Sequence, residues 1–196
     1  MRKIITKTDK EKKEMRNKTI IGLVLVVIML FSTLGYSFLS GSRDEVTTEK
    51  IDYKGIEFIE DSGFWKFIIQ GNSFLTTFNP KETENISAPV FVSLNNYAQK
   101  PLYFYEEKEA VGSGAKNEIA RVLNNYVLRM QDVCYSGAED CEENLPVKNC
   151  TNNMIIFKES DSIIISREDN CVFLLAPYDE QIRTADAFIF KILGIQ

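Results

Sequence analysis

The residues whose chemistry is most clearly indicated are four cysteines, Cys134, Cys141, Cys150 and Cys171. An even number of cysteines in an extracytoplasmic region is typical of a disulfide framework, and four cysteines allow three pairings. The preferred pairing closes the acidic loop CYSGAEDC through Cys134 and Cys141 and joins the starts of two strands through Cys150 and Cys171. A disulfide that closes a loop of either size typically raises the free energy of unfolding by about 2–4 kcal/mol.

Metal and redox sites are the alternatives for these thiols. The cysteines are separated by six, eight and twenty residues, so the close pairs typical of a structural zinc site are absent. No C-x-x-C motif is present, which disfavours a redox dithiol. We therefore assign no metal and no cofactor from the sequence.

The chain contains no histidine. This excludes Ser-His-Asp and Cys-His catalysis, His-ligated zinc hydrolysis and histidine general bases. No phosphate-binding loop, dinucleotide fingerprint or calcium-binding loop motif is present either. No catalytic residue is assigned.

Two further groups of side chains are candidate binding or modification sites. Acidic clusters offer either Ca²⁺ binding and a carboxylate pair or simple solvated faces; they are Glu106, Glu107 and Glu109, and Glu139, Asp140, Glu142 and Glu143. The sequons Asn85-Ile86-Ser87 and Asn149-Cys150-Thr151 make Asn85 and Asn149 candidate glycosylation sites.

The element that determines where these residues act is an uncharged stretch at residues 20–39, IIGLVLVVIMLFSTLGYSFL. A helix needs about 20 apolar residues to cross the hydrocarbon core of a bilayer, which predicts a transmembrane helix over residues 19–39. A cleaved signal peptide has a shorter apolar region and a small-x-small site, and LSGS after this run is a poor site. A buried core helix is the remaining alternative.

Charge sets the predicted orientation. Residues 1–18 contain eight Lys or Arg and three acids, which gives a net charge of +5. Because the whole chain has a net charge of −5, residues 19–196 carry −10. Lys and Arg beside a span stay on the cytoplasmic side, so residues 1–18 form a basic cytoplasmic tail and the rest lies outside. An acidic domain is not expected to bind nucleic acid, which requires phosphate neutralisation.

Residues 40–53 are polar and indicate a linker, followed by an extracytoplasmic α+β domain over residues 54–196. Residues 54–80 predict a three-stranded antiparallel meander with strands at 55–60, 64–70 and 73–78, separated by turn residues. Period two directs Phe58, Trp65 and Phe67 inward, with Ile56 and Ile69. Trp65 is assigned to the core, and the alternative is an exposed ligand platform.

Residues 89–196 predict a disulfide-stapled α/β unit. Its strands are expected at 89–95, 102–105, 154–158, 162–166 and 171–175. An amphipathic helix at 115–130 buries Ile119, Val122 and Leu123 and leaves Glu118 and Arg121 to solvent.

The last predicted element is a second amphipathic helix, at 179–193. It is capped by Asp179 and ended by Gly194. Arg183 and Asp186, three residues apart, predict a surface ion pair on this helix.

The Lys-rich start, the span ending in STLGYSF, the hairpin GIEFIEDSGFWKFIIQG, the pair Cys150 and Cys171 around IIFK, and the ending TADAFIFKILGI resemble a group of uncharacterised archaeal single-pass membrane proteins. The resemblance implies an envelope location and supplies no activity.

Three functions are compatible with these features. The first is a non-enzymatic interaction or assembly module in the cell envelope, anchored in the lipid bilayer and bound to a protein partner. The second is a carboxylate-based envelope enzyme or solute-binding protein, favoured by acids that converge in a pocket, whereas a flat apolar patch favours the first. The third is an accessory subunit of a larger membrane complex, suggested by the small residues Gly22, Ser32 and Gly35 in the span.

Overall fold

The computed structural model describes residues 7–40, 49–138, 141 and 144–196, and the side chains of the first helix between residues 15 and 31. The chain divides into two compact units, residues 1–47 and residues 48–196. The first unit contains α1 (Lys7–Ser40), which is one uninterrupted helix. Among the residues that are described, no helix is both long and apolar enough to cross a membrane. The span predicted over residues 19–39 is therefore not supported by the structure.

The second unit begins with a four-stranded antiparallel meander whose strands are adjacent in chain order. They are β1 (Lys50–Tyr53), β2 (Ile56–Asp61), β3 (Phe64–Ile69) and β4 (Asn72–Thr76). Each hairpin has a two-residue loop that ends in glycine, with positive φ at both positions. Such loops match the right-handed twist of the paired strands, and they need glycine because L-residues rarely adopt positive φ. The loops are Lys54-Gly55, Ser62-Gly63 and Gln70-Gly71.

The prediction of an antiparallel meander is confirmed, but the predicted number of strands is wrong. The structure has four strands rather than three, because Lys54-Gly55 forms a third hairpin turn. The linker predicted over residues 40–53 is accordingly wrong for its last four residues, which form β1. Trp65 is 7% exposed and lies in the core, as predicted.

A second sheet of five strands forms the other side of the unit, in the order β10-β11-β9-β5-β6. Its strands are β5 (Pro101–Glu106), β6 (Arg129–Asp132), β9 (Met154–Glu159), β10 (Ile164–Glu168) and β11 (Cys171–Ala176). β11, β9, β5 and β6 run parallel, and β10 is antiparallel to β11. The short strands β7 (Cys134–Tyr135) and β8 (Val147–Lys148) pair with each other.

Two helices, α3 (Ala115–Leu123) and α4 (Gln181–Ile192), form a layer between the sheets. Phe190 of α4 contacts Phe58 and Phe67 of the meander, with ring centroids 6.0 Å and 5.9 Å apart. The same hydrophobic core includes Phe104 and Phe157 of the five-stranded sheet. The α+β class with a meander and C-terminal helices is therefore confirmed, and one core joins the three layers.

The opposite face of the five-stranded sheet carries a smaller apolar cluster. Period-two alternation sends Tyr103 and Tyr105 of β5 to this face, while Leu102 and Phe104 face the helices. Tyr135 covers the cluster by packing against Tyr105 and against Phe173.

Two further element predictions differ from the structure. The helix predicted over 115–130 ends at Leu123, because residues 129–132 must extend to pair with β5 as β6. The strand predicted at 89–95 is absent. Val90 is buried and Phe91 is exposed, so the side chains alternate as in a strand, but this segment pairs with no strand. Residues Leu94–Tyr97 instead form the short helix α2.

The start of the C-terminal helix also differs. A 3₁₀ turn at Tyr178–Glu180 precedes α4, and Asp179 does not cap the helix. Gly194 has a φ of +74° and follows the helix, in agreement with its predicted role.

Candidate functional site

The two helices of the middle layer place two acidic side chains in the interior. Glu118 of α3 is 3% exposed and Asp186 of α4 is fully buried. These two residues, called the carboxyl pair below, are bound by the consecutive residues Thr77 and Phe78, and the charge of Glu118 acts on Asp186. A buried carboxylate is costly unless it is hydrogen-bonded and paired with a positive charge. The pair is therefore the most chemically unusual feature of the described interior.

The residues after β4 and a neighbouring arginine satisfy most of the oxygen atoms of the carboxyl pair. The Thr77 hydroxyl donates to Glu118 Oε1 at 2.9 Å, and the Phe78 backbone N–H donates to Asp186 Oδ2 at 2.8 Å. Arg121 donates to both oxygens of Glu118, at 3.0 Å and 3.1 Å. Bidentate arginine–carboxylate contacts are among the strongest hydrogen bonds in proteins.

Arg121 is itself held in place from the meander. Its guanidinium lies over the ring of Phe64 in β3, 4.8 Å from the ring centroid. Such stacking is favourable because the ring face carries negative charge. The carboxyl pair and its single arginine thus connect α3, α4 and the meander.

Burial, followed by the negative charge of Glu118, raises the pKa of Asp186 well above its usual value. The Phe78 N–H and the Arg121 charge lower this pKa without cancelling the increase. Asp186 Oδ1 accepts no hydrogen bond from the described residues. A proton on this carboxyl group would supply the missing donor for the contact with Glu118.

Sequence reasoning did not find this pair. Glu118 was predicted to face solvent, and this is wrong because the meander covers that side of α3. The surface ion pair between Arg183 and Asp186 is also wrong: Arg183 contacts Glu180 at 2.7 Å, and Asp186 points inward. A usable signal was present, since Phe188 and Phe190 extend the apolar surface of α4 around the helix, which indicates burial on both sides.

The carboxyl ends of the parallel strands are a second position where open α/β sheets place ligands. The strand order reverses between β5 and β9, and ligands commonly bind in the crevice at such a point. Here the charged side chains are matched with one another. Lys116 of α3 pairs with Glu106 and with Asp132, and Lys158 pairs with Glu107 at 3.5 Å.

Lys116 is at the centre of these contacts. Burial lowers its pKa, but the hydrogen bond and charge of Glu106, together with Asp132, outweigh burial and raise the pKa above its usual value. A lysine that stays protonated in this way neutralises carboxylates and is not suited to act as a base.

The predicted acidic clusters do not converge in the described part of the chain. Glu106 and Glu107 contact different lysines, and no group of three potential metal-binding side chains occurs among the residues that the structure covers. The second cluster, at residues 139, 140, 142 and 143, lies outside the described residues.

The surface of this unit includes two grooves. The larger, of about 360 Å³, is lined by Lys54, Lys191 and one acidic side chain, Glu84, among others. The smaller, of about 250 Å³, has no acidic residue in its lining. Neither groove holds a pair of carboxylates.

The two disulfides have the preferred connectivity. Cys134 pairs with Cys141, and Cys150 pairs with Cys171, with Cα–Cα distances of 5.6 Å and 4.9 Å. Disulfides persist in oxidising compartments, and the two disulfides are consistent with an extracytoplasmic domain. The sequon residues Asn85 and Asn149 are exposed, and Asn149 Oδ1 accepts a hydrogen bond from the Thr151 hydroxyl at 2.7 Å.

The meander presents an apolar surface to solvent on the side away from the helices. We call it the outer face; Ile59, Lys66, Ile68 and Leu75 form its centre, and the polar residues Lys50, Glu57 and Ser73 lie on the same face in the strand register. Lys66 lies opposite both Ile59 and Leu75 in the strand register. Ile68 is 60% exposed and Leu75 is 38% exposed. The outer face thus combines exposed apolar side chains with the Lys66 ammonium group at their centre, and the Lys50–Glu57 ion pair lies beside them.

No protein-family model, no curated protein and no solved structure matches this chain.

Proposed function

We propose that this protein is a non-enzymatic interaction module of the cell envelope, anchored in the membrane by residues 19–39 and bound to a protein partner through the outer face. The observation that carries the proposal is the apolar outer face itself. Contiguous exposed apolar patches on soluble domains often mark interaction surfaces. A flat sheet face with Ile68 and Leu75 beside Lys66 suits a partner with an apolar patch and a carboxylate.

The proposed anchor rests on the sequence. The run at 20–39 has no charge, and α1 passes through all of it as a helix. Its described apolar side chains are exposed, for example Leu25 at 60% and Phe31 at 73%. The net charge of +5 over residues 1–18 supports a cytoplasmic N-terminus with the domain outside.

The state of the carboxylates makes the enzyme alternative weaker. A carboxylate-based hydrolase needs two acids flanking a substrate cleft. The carboxyl pair is instead buried under the meander and hydrogen-bonded to Thr77, Phe78 and Arg121. The partly buried acids at the strand ends, Glu106 and Glu107, are paired with Lys116 and Lys158.

The test is cross-linking of the tagged full-length protein in native membranes, compared between the wild type and Ile68→Asp. A buried carboxylate in an apolar interface lacks a partner, so we expect the recurring cross-linked protein to be lost by about tenfold or more. Ile164→Asp is the matched control, since Ile164 is 47% exposed on strand β10 away from the meander. It should leave recovery unchanged.

Two results would contradict the proposal. One is equal recovery of the same partner with Ile68→Asp and with wild type. The other is recovery of the protein alone at several cross-linker lengths.

A further inference from the structure

The carboxyl pair lies where the meander joins the helix layer. Thr77 and Phe78 are consecutive residues directly after β4, and each binds a different member of the pair. The meander end therefore contacts α3 through Glu118 and α4 through Asp186. Trp65 in β3 lies opposite Thr76, one residue before this contact.

The charges around the pair do not balance if both acids are ionised. From α3, Arg121 is the single cation in contact with the pair, and Glu118 uses it in a bidentate contact. From the meander, Thr77 and Phe78 offer a hydroxyl and an amide, neither of which titrates in the ordinary range, and Phe64 offers a ring. On α4, Arg183 is paired with Glu180. Two buried carboxylates thus share one arginine.

Close carboxyl groups in this situation commonly hold one proton between them, because two adjacent buried negative charges repel each other strongly. We infer that Asp186 and Glu118 share one proton, and that this proton makes the attachment of the meander to the helix layer sensitive to pH. Loss of the proton places a second negative charge in the contact that Thr77 and Phe78 make with the helices. The junction therefore weakens as the pH rises.

The direction of the pH effect follows from proton linkage. Because the pKa of Asp186 is raised in the folded state, the folded protein keeps a proton that the unfolded chain has released. The contribution of this proton to the free energy of unfolding is fully present below the pKa of Asp186 in the unfolded chain. It decreases as the pH rises from that value to the higher pKa of Asp186 in the folded protein. Within that interval the unfolding equilibrium constant increases about tenfold per pH unit.

Urea unfolding of the full-length chain in mild detergent, followed at a series of pH values, tests the inference. Trp65 is the single tryptophan and is buried in the meander, so its fluorescence reports on this layer. The comparison is between wild type and Asp186→Asn, because an asparagine amide can donate to Glu118 and accept from Phe78 without titrating. We expect the variant to lose the increase of about tenfold per pH unit that wild type shows.

Asp179→Asn is the matched control, because Asp179 is exposed just before α4 and should leave the wild-type pH dependence intact. Equal pH dependence in wild type and Asp186→Asn would overturn the inference. So would wild-type stability that does not fall with rising pH relative to that variant.

Infrared spectroscopy of the wild type at neutral pH gives a second measurement that does not depend on any variant folding. Among the described acids, Glu118 and Asp186 are the buried ones. A protonated carboxylic acid band at neutral pH is the expected result, and its absence would overturn the inference.

Discussion

Gln181 shows how a single polar residue can connect two strands that the sequence does not link. It is the first residue of α4 and is fully buried. Its amide nitrogen donates to the Lys158 carbonyl at 2.7 Å and to the Ala176 carbonyl at 2.9 Å. These carbonyls lie at the ends of β9 and β11, where the strands leave the sheet and need other donors.

At this scale we predict that Gln181→Ala lowers the free energy of unfolding by about 1–3 kcal/mol, because the Lys158 carbonyl loses this donor and the Ala176 carbonyl keeps the Ser160 N–H alone. Urea unfolding monitored by Trp65 fluorescence measures the effect. Gln131→Ala is the control, since Gln131 is exposed on β6 and its loss should cost less than about 0.5 kcal/mol. An equal effect of the two substitutions would show that Gln181 does not stabilise the strand ends.

At the scale of elements, the two disulfides stabilise different parts of the α/β unit formed by residues 89–196. Cys150 precedes β9, and Cys171 is the first residue of β11. Cys171 is fully buried in the smaller apolar cluster, on the face of the sheet opposite the helices. Cys134 and Cys141 close a shorter loop after β6, with Cys141 exposed. The sequence separations are 21 and 7 residues.

A cross-link lowers the entropy of the unfolded chain more when the closed loop is longer. We predict that replacing Cys150 and Cys171 by alanine lowers the free energy of unfolding by about 3.5 kcal/mol, against about 2.5 kcal/mol for Cys134 and Cys141. Denaturation of the two double variants checks this. A larger loss from the Cys134 and Cys141 pair would contradict the order.

At the scale of the whole domain, the decisive feature is that the helix layer is covered on both sides. Phe190 of α4 packs on Phe58 and Phe67, while Phe188 contacts Tyr97 with ring centroids 6.4 Å apart. A helix that is apolar on more than one side is stable only when it is buried on those sides. The meander therefore contributes to the same hydrophobic core as the helices and does not form a separate subdomain.

We predict that a chain shortened to residues 79–196 does not fold cooperatively, because Phe190 and the carboxyl pair lose their cover. Residues 49–196 should unfold in one transition that includes Trp65. Circular dichroism during thermal denaturation distinguishes the two chains, together with binding of a dye that detects exposed apolar surface. A cooperative transition in the shorter chain would show that residues 79–196 have an independent core.

The local patterns were sufficient for much of the structure. Turn residues and period-two alternation predicted the hairpins at Ser62-Gly63 and near Gly71, and β9 and β11 with them. The acidic loop and the strand starts favoured the observed disulfide pairing among the three that four cysteines allow. These features depend on backbone preferences and on neighbours close in sequence, which a single chain displays directly.

What only the tertiary structure decided is which faces of those elements are covered. Glu118 and Asp186 look solvent-facing along their own helices, and the meander, more than 35 residues away in sequence from α3, makes them interior. The early end of α3 has the same origin, since residues 129–132 pair with β5 instead of continuing the helix. The sequence by itself determined the uncharged run at 20–39, the α+β class and the cysteine framework, because these are local properties; layer order and the carboxyl pair depend on long-range packing, which overrides local helix periodicity.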